Sequence, residues 1–126
     1  MIVSWVNSQL EKVGRVYWIL NKGFPLRLWF CDVDPRRVPK GTVFPHPMGI
    51  VIARNTVLGS YCTIYQNVTL GTNPGDPRGP VLGDRVTVYP YSAIIGPRNI
   101  GSGAVIGAGS IVFRDVLPQE IVKCYA

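Results

Sequence analysis

Two different periods govern the apolar positions of this chain. Near the start, Val6, Leu10, Val13, Tyr17 and Leu20 recur at spacings of four, three, four and three, which places them on one face of an α-helix. Ser4 or Asn7 is placed to cap that helix, and Gly23 and Pro25 to end it, since proline cannot continue the hydrogen-bond ladder. From Ile52 onward the period is six: Ile52, Leu58, Ile64, Leu70, Leu82, Val88, Ile94, Ile100, Ile106 and Val112 fall in one phase. All ten are Ile, Leu or Val although these types make up 36 of 126 residues, so the phase is a structural signal. Asp76 takes the remaining position of the phase.

Glycine follows the aliphatic residue at Gly59, Gly71, Gly83, Gly101 and Gly107, where a missing Cβ suits a tight corner or a close backbone. Four places after the aliphatic stand Thr56, Cys62, Val68, Val86, Ser92, Ala104, Ser110 and Val116, small or β-branched residues that fit a narrow interior. Neither a helix (3.6) nor an alternating strand (2.0) has this period. A chain that turns a corner every six residues has it, and the expected architecture is a parallel β-helix of stacked coils. The run from Asn73 to Pro80 holds too many turn formers for a wall and reads as an external loop. The expected organisation is a helical segment over 1–30, a β-helix over 31–118 with loop 73–80, and a tail over 119–126.

Composition agrees with one turn-rich domain, with 14 Gly, 11 Pro and 16% charged residues. The net charge of +6 invites a nucleic-acid reading, but seven basic and three acidic residues stand in the first 40 positions and no interleaved aromatic run follows. No nucleic-acid partner is expected. The helical segment is expected to pack on its own trimer, with a peripheral membrane contact through its basic and aromatic faces as the alternative. Cys31, Cys62 and Cys124 have no metal-ligand spacing and cannot all pair within one chain, so a reducing, cytoplasmic location and no metal are expected.

The hexad pattern and three segments, His46 to Ile52, Gln66 to Gly71 and Ile106 to Ser110, resemble serine acetyltransferases and related sugar or polysaccharide O-acetyltransferases. The similarity runs from about Asp32 to Pro118. It implies an all-β fold, a left-handed β-helix with three hexads per coil, assembled as a homotrimer with active sites between subunits. It also implies acetyl-coenzyme A as co-substrate.

The resemblance points to His46, the only histidine, as the general base. An imidazole, with an ordinary pKa of about 6.5, takes and returns a proton near neutral pH. Asp32 resembles the carboxylate that orients it, with Asp34 as competitor. The base removes the acceptor hydroxyl proton as oxygen attacks the thioester, with no covalent enzyme intermediate. The matching coenzyme positions are Ser92, Ala93, Ala108, Gly109 and Ser110, with Arg114 available for a phosphate. Arg78 and Gln66 are the candidate acceptor contacts, and Cys62 needs no chemical role.

Where the family has an aspartate before the histidine and an arginine-histidine pair in the loop, this chain has Pro45 and Arg78-Gly79. A zwitterionic acceptor needs charged partners that a sugar hydroxyl does not. The expectation is therefore acetyl transfer to a sugar or glycan, with serine as the alternative acceptor. A non-catalytic β-helix scaffold is the alternative of another class.

Overall fold

The computed structural model describes residues 31–124. The helix expected within 1–30 lies outside the described residues. Ten short strands follow: β1 (Val51–Ile52), β2 (Thr63–Ile64), β3 (Thr69–Gly71), β4 (Val81–Leu82), β5 (Thr87–Val88), β6 (Ala93–Ile95), β7 (Asn99–Ile100), β8 (Val105–Ile106), β9 (Ile111–Val112) and β10 (Ile121–Val122). They build three parallel sheets, β1-β3-β6-β9, β2-β5-β8-β10 and β4-β7. Bridges of Asp32 to Val51, Val43 to Thr63, Val57 to Val81 and Val116 to Ile100 extend the three walls. The strands are short because most of each hexad is spent on the corner.

Register explains the phase. In the first sheet Val51 pairs with Thr69, Thr69 with Ala93 and Ala93 with Ile111, at separations of 18, 24 and 18 residues. Three hexads make a coil, and the coil of 24 carries the loop. Since the insertion adds six residues, the aliphatic phase resumes unchanged at Leu82. Nine of the ten phased aliphatics are buried, and Ile52 packs half-buried against them. The eight small residues four places on are also buried.

The last coil departs from the period. Val116, four residues after Val112, pairs with Ile100, and Ile121 then pairs with Val105 only 16 residues back. Pro118 holds the place where the strict period would put an aliphatic, and its ring has no amide to give a wall. The segment expected as a tail from residue 119 thus contributes β10 to the second sheet.

Coils approach closely where the glycines stand. A Cβ on Gly59 would meet the Gly83 carbonyl carbon and oxygen at 2.4 Å, so these two backbones can stack only without a side chain between them. Two corners repeat a left-handed residue on successive coils, Gly49, Asn67, Tyr91 and Gly109 on one and Gly41, Tyr61, Arg85, Gly103 and Gln119 on the other. These ladders make the prism's edges regular.

Candidate active site

His46 sits on the edge between the second and first sheets. On the three upper coils this corner spans six residues, from Thr63 to Thr69, Thr87 to Ala93 and Val105 to Ile111, as the pairings require. On the first coil it spans eight, from Val43 to Val51. The wider turn closes on itself through a 2.8 Å bond from the Met48 amide to the His46 carbonyl. It is stitched to the coil above where the Asn67 amide donates to the Met48 carbonyl at 2.9 Å. Gly49 has φ 63, and a Cβ there would stand 2.2 Å from Asn67 Oδ1, so a side chain at this point would be strained and would displace the Asn67 amide. The His46 side chain is left exposed at the corner.

Asp32 is fixed at the foot of the first sheet. Its amide donates to the Ile50 carbonyl and its carbonyl accepts from the Ile52 amide, both at 2.8 Å. Asp32 therefore lies one rung below the strand into which the His46 turn feeds. Among the described residues no hydrogen bond joins its carboxylate to the imidazole. Asp34 is engaged elsewhere: it caps the 3-10 turn Pro35–Arg37 and takes the Arg36 guanidinium in two bonds of 2.9 Å. The Arg36 side-chain bond holds the Asp34 carboxyl at a pKa of about 2. Of the two aspartates, Asp32 is the one without such a partner among the described residues.

Gln66 stands on the same edge one rung above His46, and its Oε1 is shielded from solvent with no partner among the described residues. Ser92 is buried, its hydroxyl donating to the Gly107 carbonyl at 2.9 Å. Ala93 lies in β6 between Thr69 and Ile111. Ala108 and Gly109 are exposed on the top rung, and the buried Ser110 Oγ has no partner among the described residues. The coenzyme candidates thus continue the edge that His46 begins.

Two arginines are not free. Arg114 pairs with Glu120, whose carboxyl is held below its ordinary pKa by that bond, and also donates to the Asp115 carbonyl. Arg78 grips Asp76 in bonds of 3.0 Å and 2.7 Å, which hold the Asp76 carboxyl at about 2. Loop 73–80 emerges between the first and third sheets, a different edge from that of His46, so one chain does not bring Arg78 to the base. Cys62 is buried, its thiol donating toward the Gly59 and Gly83 carbonyls, and burial pushes its pKa up. No group of three or more His, Cys, Asp or Glu among the described residues could hold a metal ion.

The sequence reading passed over an aromatic stack on this edge, Tyr65 against Tyr89 with ring centroids 5.1 Å apart. These residues are 24 apart in sequence, and they align only once the loop is known to add six residues to its coil. Their places directly after Ile64 and Val88 were the available signal.

No family model matches the chain. It is 42% identical over 119 residues to the serine acetyltransferase of Synechococcus elongatus, covering 91% of this chain and 47% of the relative. The Mycobacterium tuberculosis serine acetyltransferase is 37% identical over 94 residues, covering 72% and 41%. Among solved structures, Neisseria gonorrhoeae serine acetyltransferase in complex with serine matches with a TM-score of 0.65 and 37% identity, over 71% of this chain and 38% of that one. Soybean serine acetyltransferase complexed with serine gives 0.63 and 36%, over 68% and 37%. The chain spans less than half the length of these relatives. The three-walled parallel coil, the His46 edge and these likenesses agree: the relatives and structural neighbours of this chain are serine acetyltransferases, and it resembles their hexapeptide-repeat part.

Proposed function

We propose that the chain is an acetyl-coenzyme A-dependent O-acetyltransferase with His46 as general base and the hydroxyl of serine as acceptor. The observation that carries the activity is the exposed His46 on a corner two residues wider than those stacked above it. The likeness to serine acetyltransferases moves serine ahead of the sugar acceptor expected from the sequence. His46 removes the hydroxyl proton as the oxygen attacks the thioester carbonyl, then returns a proton to the departing thiolate of coenzyme A. Asp32, one rung beneath that strand, is the group proposed to orient the imidazole, and Gln66 to contact the acceptor. The pantetheine arm is assigned to the edge through Ser92, Ala93, Ala108, Gly109 and Ser110. Arg114 is available to a phosphate only by leaving Glu120.

The active unit proposed is a homotrimer of left-handed β-helices. Supporting it, Val43, Val57, Val81, Ile111 and Ile121 stand exposed on the walls, where a neighbouring subunit would cover them. Because loop 73–80 and His46 occupy different edges, a neighbouring subunit is the source from which Arg78 would reach the base. Among the described residues no helix is long and apolar enough to cross a membrane. Three free cysteines support a reducing, cytoplasmic setting, and a peripheral membrane contact remains assigned to segment 1–30.

A saccharide acceptor is the second reading. It is favoured by Pro45 before His46, by Gly79 after Arg78, and by the commitment of Arg78 to Asp76, which leave few charges for a zwitterion. Thiol release from acetyl-coenzyme A, measured with serine, homoserine and a sugar panel, separates the two. Release with serine and none with sugars supports the first reading, and the reverse overturns it.

A further inference from the structure

The second and third rungs of the His46 edge are aromatic. Tyr65 and Tyr89 stack with 13° between ring planes, and Tyr91, two residues on, is 67% exposed. The Tyr91 backbone lies in the left-handed region at φ 61, a conformation unfavourable for a bulky side chain. Three other large left-handed residues fold down over the glycine one rung below: Asn67 over Gly49, Tyr61 over Gly41 and Gln119 over Gly103. Tyr91 stands instead above Asn67 and covers no glycine, as the left-handed Arg85 stands over the Tyr61 ring. Its amide donates to the Gln66 carbonyl at 3.3 Å, which ties its rung to the residue whose Oε1 is shielded and unpartnered among the described residues.

We propose that Tyr65, Tyr89, Tyr91 and Gln66 form a strip that binds a pyranose ring beside His46. A pyranose has an apolar face of axial C–H groups that lies flat on an aromatic ring, and hydroxyls at its rim. Each hydroxyl both donates and accepts, so it would pair with the Gln66 amide in either orientation once that group turns outward. The strip from Tyr65 to Gln66 and from Tyr89 to Tyr91 holds no formal charge, which matches a neutral sugar and leaves a zwitterion's ammonium and carboxylate unpaired. The inference rests on the saccharide reading above and names the residues that would recognise that acceptor.

The test is saturation-transfer NMR on the full chain with methyl glucopyranoside and methyl galactopyranoside, run beside the acetyl-transfer assay. Saturation should reach the axial ring protons of at least one glycoside. Tyr89→Ala should weaken binding about tenfold. Tyr91→Gly should weaken it as well while keeping or raising the thermal midpoint, because glycine relaxes the left-handed position. No transfer to either glycoside, or transfer unchanged in both variants, overturns the strip. Dissociation of an oligomer by Tyr91→Gly also overturns it, by making Tyr91 a subunit contact. Acetylation of serine without glycoside binding sinks the strip and spares the enzyme, whereas glycoside binding without turnover of any acceptor sinks the enzyme and spares the strip.

Discussion

A single imidazole carries the proposed chemistry, and its replacement is the sharpest test at the scale of residues. His46→Ala should lower turnover on the best acceptor by roughly 10²–10⁴-fold, the usual share of a positioned general base. Coenzyme affinity, read by calorimetry, should change little, since that contact is assigned to other rungs; full activity in the variant would place the base elsewhere. Asp32→Asn should cost less and in turnover alone. The ion pairs make a separate prediction. Asp76 has its folded pKa lowered to about 2 from 3.8 by Arg78, so the clasp is fully present above pH 3.8 and lost as pH falls through about 2. An NMR titration of the Asp76 carboxyl should find its midpoint below pH 3, and a midpoint near 4 would mean that the clasp does not form in solution. His46 was legible because its neighbours match a family segment, whereas the pairing of Arg78 and Arg114 was not. Asp76 meets Arg78 inside the inserted loop and Glu120 meets Arg114 across the shortened last coil, two places where the six-residue period does not hold.

For the elements, the wall register and the inserted loop make opposite demands. Ile94 is fully buried between Leu70 and Val112, so Ile94→Asp should prevent folding, because an unpaired carboxylate there costs several kcal/mol. A soluble variant with a cooperative melt would contradict the register. Gly59→Ala should cost about 1–3 kcal/mol in a denaturant titration, as its Cβ would collide with Gly83 backbone that has no room to move. Loop 73–80 is held from below by the Asn55 side chain, which donates to the Pro77 carbonyl at 2.8 Å. Deleting residues 74–79 removes six residues and keeps the phase of both flanking walls. It should therefore spare the thermal midpoint and change acceptor use, and loss of folding would show that the loop is structural, with the buried Gly79 as an anchor of the coil.

Across the described residues, large apolar side chains stand on the outward faces of all three walls. Ile111 and Ile121 are 66% and 61% exposed, and Val43, Val57 and Val81 stand out on the other coils. Light scattering on a sizing column should return three chains, and mixing a His46→Ala chain with an Arg78→Ala chain should restore part of the activity each has lost. Restoration would come from trimers in which one subunit supplies the base and its neighbour the loop. A monodisperse monomer with activity would end the assignment of the site to a subunit boundary.

The hexad alone determined the coil: ten aliphatics in one phase and small residues four places on can be buried together only by a chain that turns every six residues. It also marked 73–80 as an interruption, since its prolines and glycines cannot form a wall. What the sequence left open depended on which residues stack across coils, and that is a matter of separations of 16 to 24 residues rather than six. Only the tertiary register showed that Val116 closes the helix early, that β10 extends the wall past residue 118, and that His46 and Arg78 lie on different edges. The same register brings Tyr65, Gln66, Tyr89 and Tyr91 together above His46, because neighbours across a rung are set by backbone hydrogen bonds between coils, which no local pattern encodes.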